Sequence, residues 1–109
     1  MRWWDDLWLN ESFADFISHF CLEKIKSRVT TIPTYDSGWK LFLVRGVSGY
    51  REDQITPTTH AISSDVDNTR IAEMYFDSIT YQKGSAVLKQ LMFLMGETNF
   101  MKGVHDYFA

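Results

Sequence analysis

The sequence predicts a mainly α-helical domain. Two observations carry that expectation. Apolar residues recur at the helical i, i+3, i+4 spacing in two long windows, 10–26 and 79–95. The strongest breakers, Pro33, Gly38, Pro57 and Gly96, fall outside those windows. The chain has 109 residues, 45% hydrophobic and 23% charged, a globular composition that fits one small domain or a piece of a larger one. A chain of this size buries roughly 60–70% of its unfolded surface. Aromatics are plentiful at 16%. Such rings bury large areas, so the chain has either a dense core or a surface made to pack against something else.

The first helix is expected from Asn10 to about Lys26, with Phe13, Phe16, Ile17, Phe20 and Cys21 as its apolar stripe. Asn10 is a good N-cap, which places Glu11 in the first turn, where the helix dipole favours an acid. At about 100° per residue, Glu11, Asp15, Ser18 and Leu22 share a face turned away from the phenylalanines. The stretch "SRVTTIPTYDSG" reads as a connection. A second helix is expected across "WKLFLVRGVSGY", weakened by Gly46 and Gly49. Residues 51–66 look irregular, and "NTRIAEMYF" reads as a short helix. From Ile79 to Met95 the pattern is helical again, with Tyr81, Leu88, Met92 and Met95 on one face and Gly96 as the C-cap. Thr98 is expected to cap a last helix, "NFMKGVHDYF", whose apolar residues are Phe100, Val104, Tyr107 and Phe108.

Several function classes are set aside by composition. The net charge is −3 and the 11 basic residues are scattered, so no basic stripe is available for nucleic acid. Cys21 is the single cysteine, which rules out an internal disulfide and a cysteine metal cluster. The longest apolar run, "LMFLM", is far too short for a transmembrane segment. The start "MRWWDD" has acids where a signal peptide needs its apolar run, so a cytoplasmic location is the default if Met1 is the true start. His19, His60 and His105 lie far apart, and none forms HExxH. A phosphate-binding glycine loop and a GxSxG elbow are also missing. On these grounds Glu11 is open to two readings, an acid at a helix terminus or a metal ligand, and Tyr81 is a core tyrosine beside Leu88 and Met92.

Longer words add a resemblance. "WWDDLWLNESFADF" resembles the "WWxDLWLNEGFAxY" segment of the zinc aminopeptidases of the membrane alanyl and puromycin-sensitive type, a gluzincin family. "FDSITYQKGSAVLKQL" and "GETNFMKGVHDYF" are similar to that family's "FDxITYxKGxxVLxML" and "GExxFxxGxxxYL". The likeness is clear over 1–26 and 55–109 and loose between. It implies that residues 1–109 are a partial catalytic domain, the helical carboxyl part of a thermolysin-like metallopeptidase truncated at both ends. It implies a zinc-dependent hydrolysis of N-terminal residues from peptides, with one zinc ion in the full-length protein. The family's zinc signature is HExxH followed by a glutamate in the "LWLNE" word, which Glu11 matches as the metal ligand. A carboxylate beside two imidazoles leaves a position for water. Tyr81 matches the family's catalytic tyrosine, whose phenol donates to the oxyanion of the attacked carbonyl.

Two departures are small: Ser12 stands for the usual glycine and Ala61 for the usual proline. The larger one is that HExxH, its general-base glutamate and the GxMEN loop would all precede Met1. The missing amino-terminal part of the catalytic domain is therefore the expected partner, alongside the peptide substrate, and the isolated chain is expected to be inactive. The alternative is a truncated or degenerate, non-catalytic paralogue acting as a helical interaction module. Trp3, Trp4, Asp5, Asp6, Trp8, Asn10 and His60 are expected to be structural, and Lys83 and Gly84 to shape the helix carrying Tyr81. The face left by the missing part predicts poor solubility or self-association.

Overall fold

The computed structural model describes residues 6–26, 28, 38–55 and 57–109. The expectations for Trp3, Trp4, Asp5 and the turn at Pro33 lie outside the described residues. The elements are α1 (Leu7–Lys26), α2 (Gly38–Gln54), α3 (Thr69–Met74), a π-turn (Ile79–Lys83) running directly into α4 (Gly84–Met95), and α5 (Glu97–Phe108). No strand occurs among the described residues, which are mainly helical as the periodicity of the sequence predicts.

α1 begins a turn earlier than its capping signal. The Asp6 carbonyl accepts from the N–H groups of Leu9 and Asn10, at 3.0 and 3.2 Å, so Asn10 is inside the helix and does not cap it. Leu7 is buried, and that burial draws "LWL" into the first turn. Glu11 consequently sits beyond the first turn, clear of the free N–H groups that would have explained it as a terminus stabiliser.

The expected face of Glu11, Asp15, Ser18 and Leu22 also splits. Ser18 and Leu22 are exposed, whereas Asp15 is buried together with Ser12 and His19. α1 is thus covered on two flanks. One is aromatic: Phe16 and Phe20 join Phe42, Leu88 and Phe100 in the core, with Trp39 packed against them. The Phe16 ring meets Phe100 edge-on at 5.5 Å, and Trp39 meets Phe42 edge-on at 5.6 Å. Burying each such ring contributes about 1.5–3 kcal/mol relative to leaving it in water, so this cluster dominates the packing. The other flank is polar and faces the π-turn and α4.

Gly49 and Gly96 each have a definite job. Gly49 of α2 lies against the π-turn, where a Cβ would stand 2.8 Å from the Lys83 nitrogen and 2.9 Å from the Ser78 carbonyl oxygen. The residue that weakens α2 as an isolated helix is what lets it approach. Gly96, at φ +78°, ends α4 as expected. Its carbonyl also accepts from the Phe100 N–H at 3.0 Å, so Gly96 opens α5 as well, and Thr98 lies inside that helix and does not cap it.

Candidate active site

Tyr81 is carried by the π-turn, a helical turn with one residue more than an α-turn; such turns recur at functional sites. Its start is held from three sides. Asp77 Oδ1 accepts from the Thr80 N–H at 2.9 Å, and the Asp77 carbonyl accepts from the Tyr81 N–H at 3.0 Å. Asp77 Oδ2 lies 2.6 Å from Nε2 of His60, whose Nδ1 faces the Ala61 carbonyl at 2.8 Å. His60 thus has the structural place expected of it, stacked near Tyr75 with ring centroids 4.4 Å apart. From α2, the Glu52 carboxylate accepts from the Ser78 N–H at 2.9 Å, and Asp53 pairs with Lys83 at 2.7 Å.

Glu11 reaches this turn from α1. The Tyr81 hydroxyl donates to its carboxylate, and both side chains are half-buried. The Tyr81 phenol is pushed up to about 12, first by desolvation, then by the hydrogen bond to Glu11 and by the negative charges of Glu11 and Asp15. It therefore keeps its proton at neutral pH and serves as a hydrogen-bond donor. The two residues singled out in separate sequence words are neighbours in space.

Around them lies a polar layer that sequence reasoning missed. Ser12 Oγ donates to the Thr80 carbonyl at 2.6 Å, and Ser85 Oγ donates to Asp15 Oδ2 at 2.9 Å, both buried. Arg45 of α2 approaches Asp15 at 3.3 Å, and Nε2 of His19 lies 3.8 Å from it. His19 is 1% exposed, and its ring nitrogens have no hydrogen-bond partner among the described residues. A signal was present: Asp15 and Ser85 each follow a candidate residue by four positions, one helical turn. It becomes readable only once Glu11 and Tyr81 are known to touch.

Among the described residues no group of three or more His, Cys, Asp or Glu side chains could hold a metal ion. The histidines are dispersed: His19 is packed under Phe42, His60 is tied to Asp77, and His105 is exposed on α5. Glu11 is a half-buried carboxylate with a phenol as its neighbour and no cation paired to it among the described residues. Its lone pairs outnumber the one bond Tyr81 donates. The donor chemistry fits one ligand of a shared centre and does not make a complete one.

The peptidase family M1 domain matches this sequence over residues 1–109. The chain belongs to peptidase family M1. Aminopeptidase N of Streptomyces lividans is 41% identical over 113 residues, covering 99% of this chain. Leucyl aminopeptidase of Saccharolobus solfataricus is 37% identical over 107 residues, and aminopeptidase M1-B of Oryza sativa subsp. japonica is 34% identical over 107, each covering 98% of this chain. The M1 chain spans only 12%, 13% and 11% of those relatives' lengths. The family resemblance read from "WWDDLWLNESFADF" and "FDSITYQKG" therefore holds, and the helical architecture of the described residues agrees with a helical part of an M1 domain. No helix among the described residues is long and apolar enough to cross a membrane.

Proposed function

We propose that this chain forms the Glu11–Tyr81 side of the catalytic centre of a zinc-dependent aminopeptidase that removes N-terminal residues from peptides. The observation that carries this reading is the contact between the Glu11 carboxylate and the Tyr81 hydroxyl at the junction of α1 and the π-turn. Glu11 is the carboxylate ligand. The other ligands and the general base come from a preceding segment of the full-length polypeptide, which is the partner of this one.

Zinc, when bound, polarises the peptide carbonyl and makes water nucleophilic near neutral pH. The chain's own residues do the rest of what is assigned here. Glu11 contributes negative charge and one ligand from a rigid helix. Tyr81, held protonated beside it, turns its single O–H from the Glu11 carboxylate to the place where the carbonyl oxygen becomes anionic. One such donor contributes roughly 2.7–4 kcal/mol of transition-state stabilisation. A lone carboxylate does not retain catalytic zinc against water, so residues 1–109 alone give no turnover of an aminoacyl fluorogenic substrate in zinc buffer.

The decisive experiment uses the full-length polypeptide. Glu11→Ala loses stoichiometric zinc by metal analysis and loses activity. Tyr81→Phe keeps zinc and KM but lowers kcat by about 10²–10³. Full zinc occupancy in Glu11→Ala, or an unchanged kcat in Tyr81→Phe, overturns the reading.

A further inference from the structure

We propose that Asp15 and Ser85 are positioning residues that hold the Tyr81 hydroxyl against Glu11, through the hydrogen bond that joins α1 to α4 one turn beyond each of the two. This rests on the reading of Glu11 and Tyr81 above. Asp15 follows Glu11 by one turn of α1, and Ser85 follows Tyr81 by one turn at the start of α4. The bond between them therefore fixes the two helices at the same level and in the same register as the site.

The bond is buried on both sides, with Asp15 9% and Ser85 1% exposed. The Ser85 hydroxyl has one proton and two acceptors in reach, Asp15 Oδ2 at 2.9 Å and the Gln82 carbonyl at 3.1 Å. The charged acceptor is the stronger and the nearer. A second bond reinforces the first: Ser12 Oγ donates to the Thr80 carbonyl of the π-turn at 2.6 Å. Gly84 allows this approach, since any side chain there would strike Ser12. Two buried cross-links thus bracket the residues next to Glu11 and Tyr81, and neither leaves α1 free to turn relative to α4.

Stability alone is a poor reason for this arrangement. Burying a carboxylate is costly, and Asp15 offsets that cost by keeping Ser85 at 2.9 Å and Arg45 at 3.3 Å beside it. A well-packed apolar pair would hold two helices at least as firmly, but it would not choose one rotation over its neighbours. A directional bond does. Displacing a reacting group by about 1 Å can cost on the order of 10²-fold in rate, so partial loosening of Tyr81 registers in kcat before it registers in substrate affinity.

The test uses the zinc-loaded full-length polypeptide. Ser85→Ala and Asp15→Ala each lower kcat about tenfold, with KM and zinc content unchanged. The double variant is no worse than the worse single one. Asp15→Asn keeps an acceptor oxygen and retains kcat within about threefold. In a Tyr81→Phe background, Ser85→Ala costs nothing more, because its effect passes through the absent hydroxyl. An equal loss in both backgrounds shows a merely structural role and overturns the inference, as does an unchanged kcat in Ser85→Ala. If Ser85→Ala fails to fold, the Asp15→Asn and Asp15→Ala pair decides by the same criterion: equal kcat in the two overturns the inference. Loss of activity in Tyr81→Phe without loss in the Asp15 and Ser85 variants defeats this inference alone. An unaffected Tyr81→Phe defeats the functional reading with it.

Discussion

At the scale of single residues, the contact between Glu11 and Tyr81 makes a statement about protonation. The Tyr81 phenol is pushed up to about 12 by desolvation, by its bond to Glu11 and by the charges of Glu11 and Asp15. Each influence favours the neutral form, so ionisation is delayed to higher pH. In the full-length polypeptide kept in chelator, an alkaline titration at 295 nm should show a phenol absent from Tyr81→Phe that ionises near pH 12 and not near pH 10, the ordinary tyrosine value. Adding zinc should move that step to lower pH, because a cation on Glu11 offsets the negative charge facing the phenol. A tyrosine that titrates as usual in chelator contradicts the structure. A step that zinc does not move contradicts Glu11 as a ligand.

How much of this was readable from the sequence differs residue by residue. Glu11 and Tyr81 were legible because they sit in long, rare words. Their adjacency was not, since nothing local to either word encodes a contact between distant parts of the chain. Asp15 lies on the face turned from the phenylalanines, as expected, but its burial there was not readable, since a helical wheel gives a direction and not a neighbour. The wheel cannot know that Ser85 and Arg45 wait on that side. Asn10 attracted the cap because its side chain suits one, while the burial of Leu7 is a tertiary fact that overrides local preference.

At the scale of elements, α2 shows how one residue type serves opposite ends. Gly49 and Gly46 both lower the intrinsic helicity of α2. Only Gly49 is needed, because a Cβ there meets the backbone of the π-turn at 2.8 and 2.9 Å, whereas one at Gly46 meets nothing within 4 Å. Gly49→Ala is therefore expected to destabilise the fold by about 1–3 kcal/mol through overpacking. Gly46→Ala is expected to stabilise it by about 0.5–1 kcal/mol. Thermal or denaturant unfolding of the two variants in the full-length polypeptide checks the contrast, and the same sign for both would count against the described contact. The helices themselves were legible from periodicity. Their ends were less so, since Gly96 both closes α4 and opens α5, two functions a sequence pattern assigns to different residues.

At the scale of the whole molecule, many large apolar residues lie outside the core that the described helices enclose. Phe93 is 86% exposed and Leu94 80%, on α4, and Leu43, Val44 and Phe108 are exposed elsewhere. Large apolar side chains exposed to this extent favour association when nothing covers them. The isolated segment is expected to self-associate with rising concentration in light scattering, and Phe93→Glu with Leu94→Lys should shift it toward monomer. A segment that stays monomeric at high concentration would show that these side chains are tolerated in water. The high aromatic content announced this surplus in the sequence, but which rings face inward was decided by packing.

The π-turn has a consequence of another kind. A widened turn is what an α-helix becomes when it accepts one residue too many. The wider turn takes up that extra residue with little change in total rotation, so removing one residue between Ile79 and Lys83 would let the helix close normally with the stretch before it still in phase with α4. What would be lost is the widened turn itself, the part of the chain that carries Tyr81. What is specified at this point of the chain is a count as well as a composition: the placement of Tyr81 depends on a residue that the α-helical repeat itself does not need.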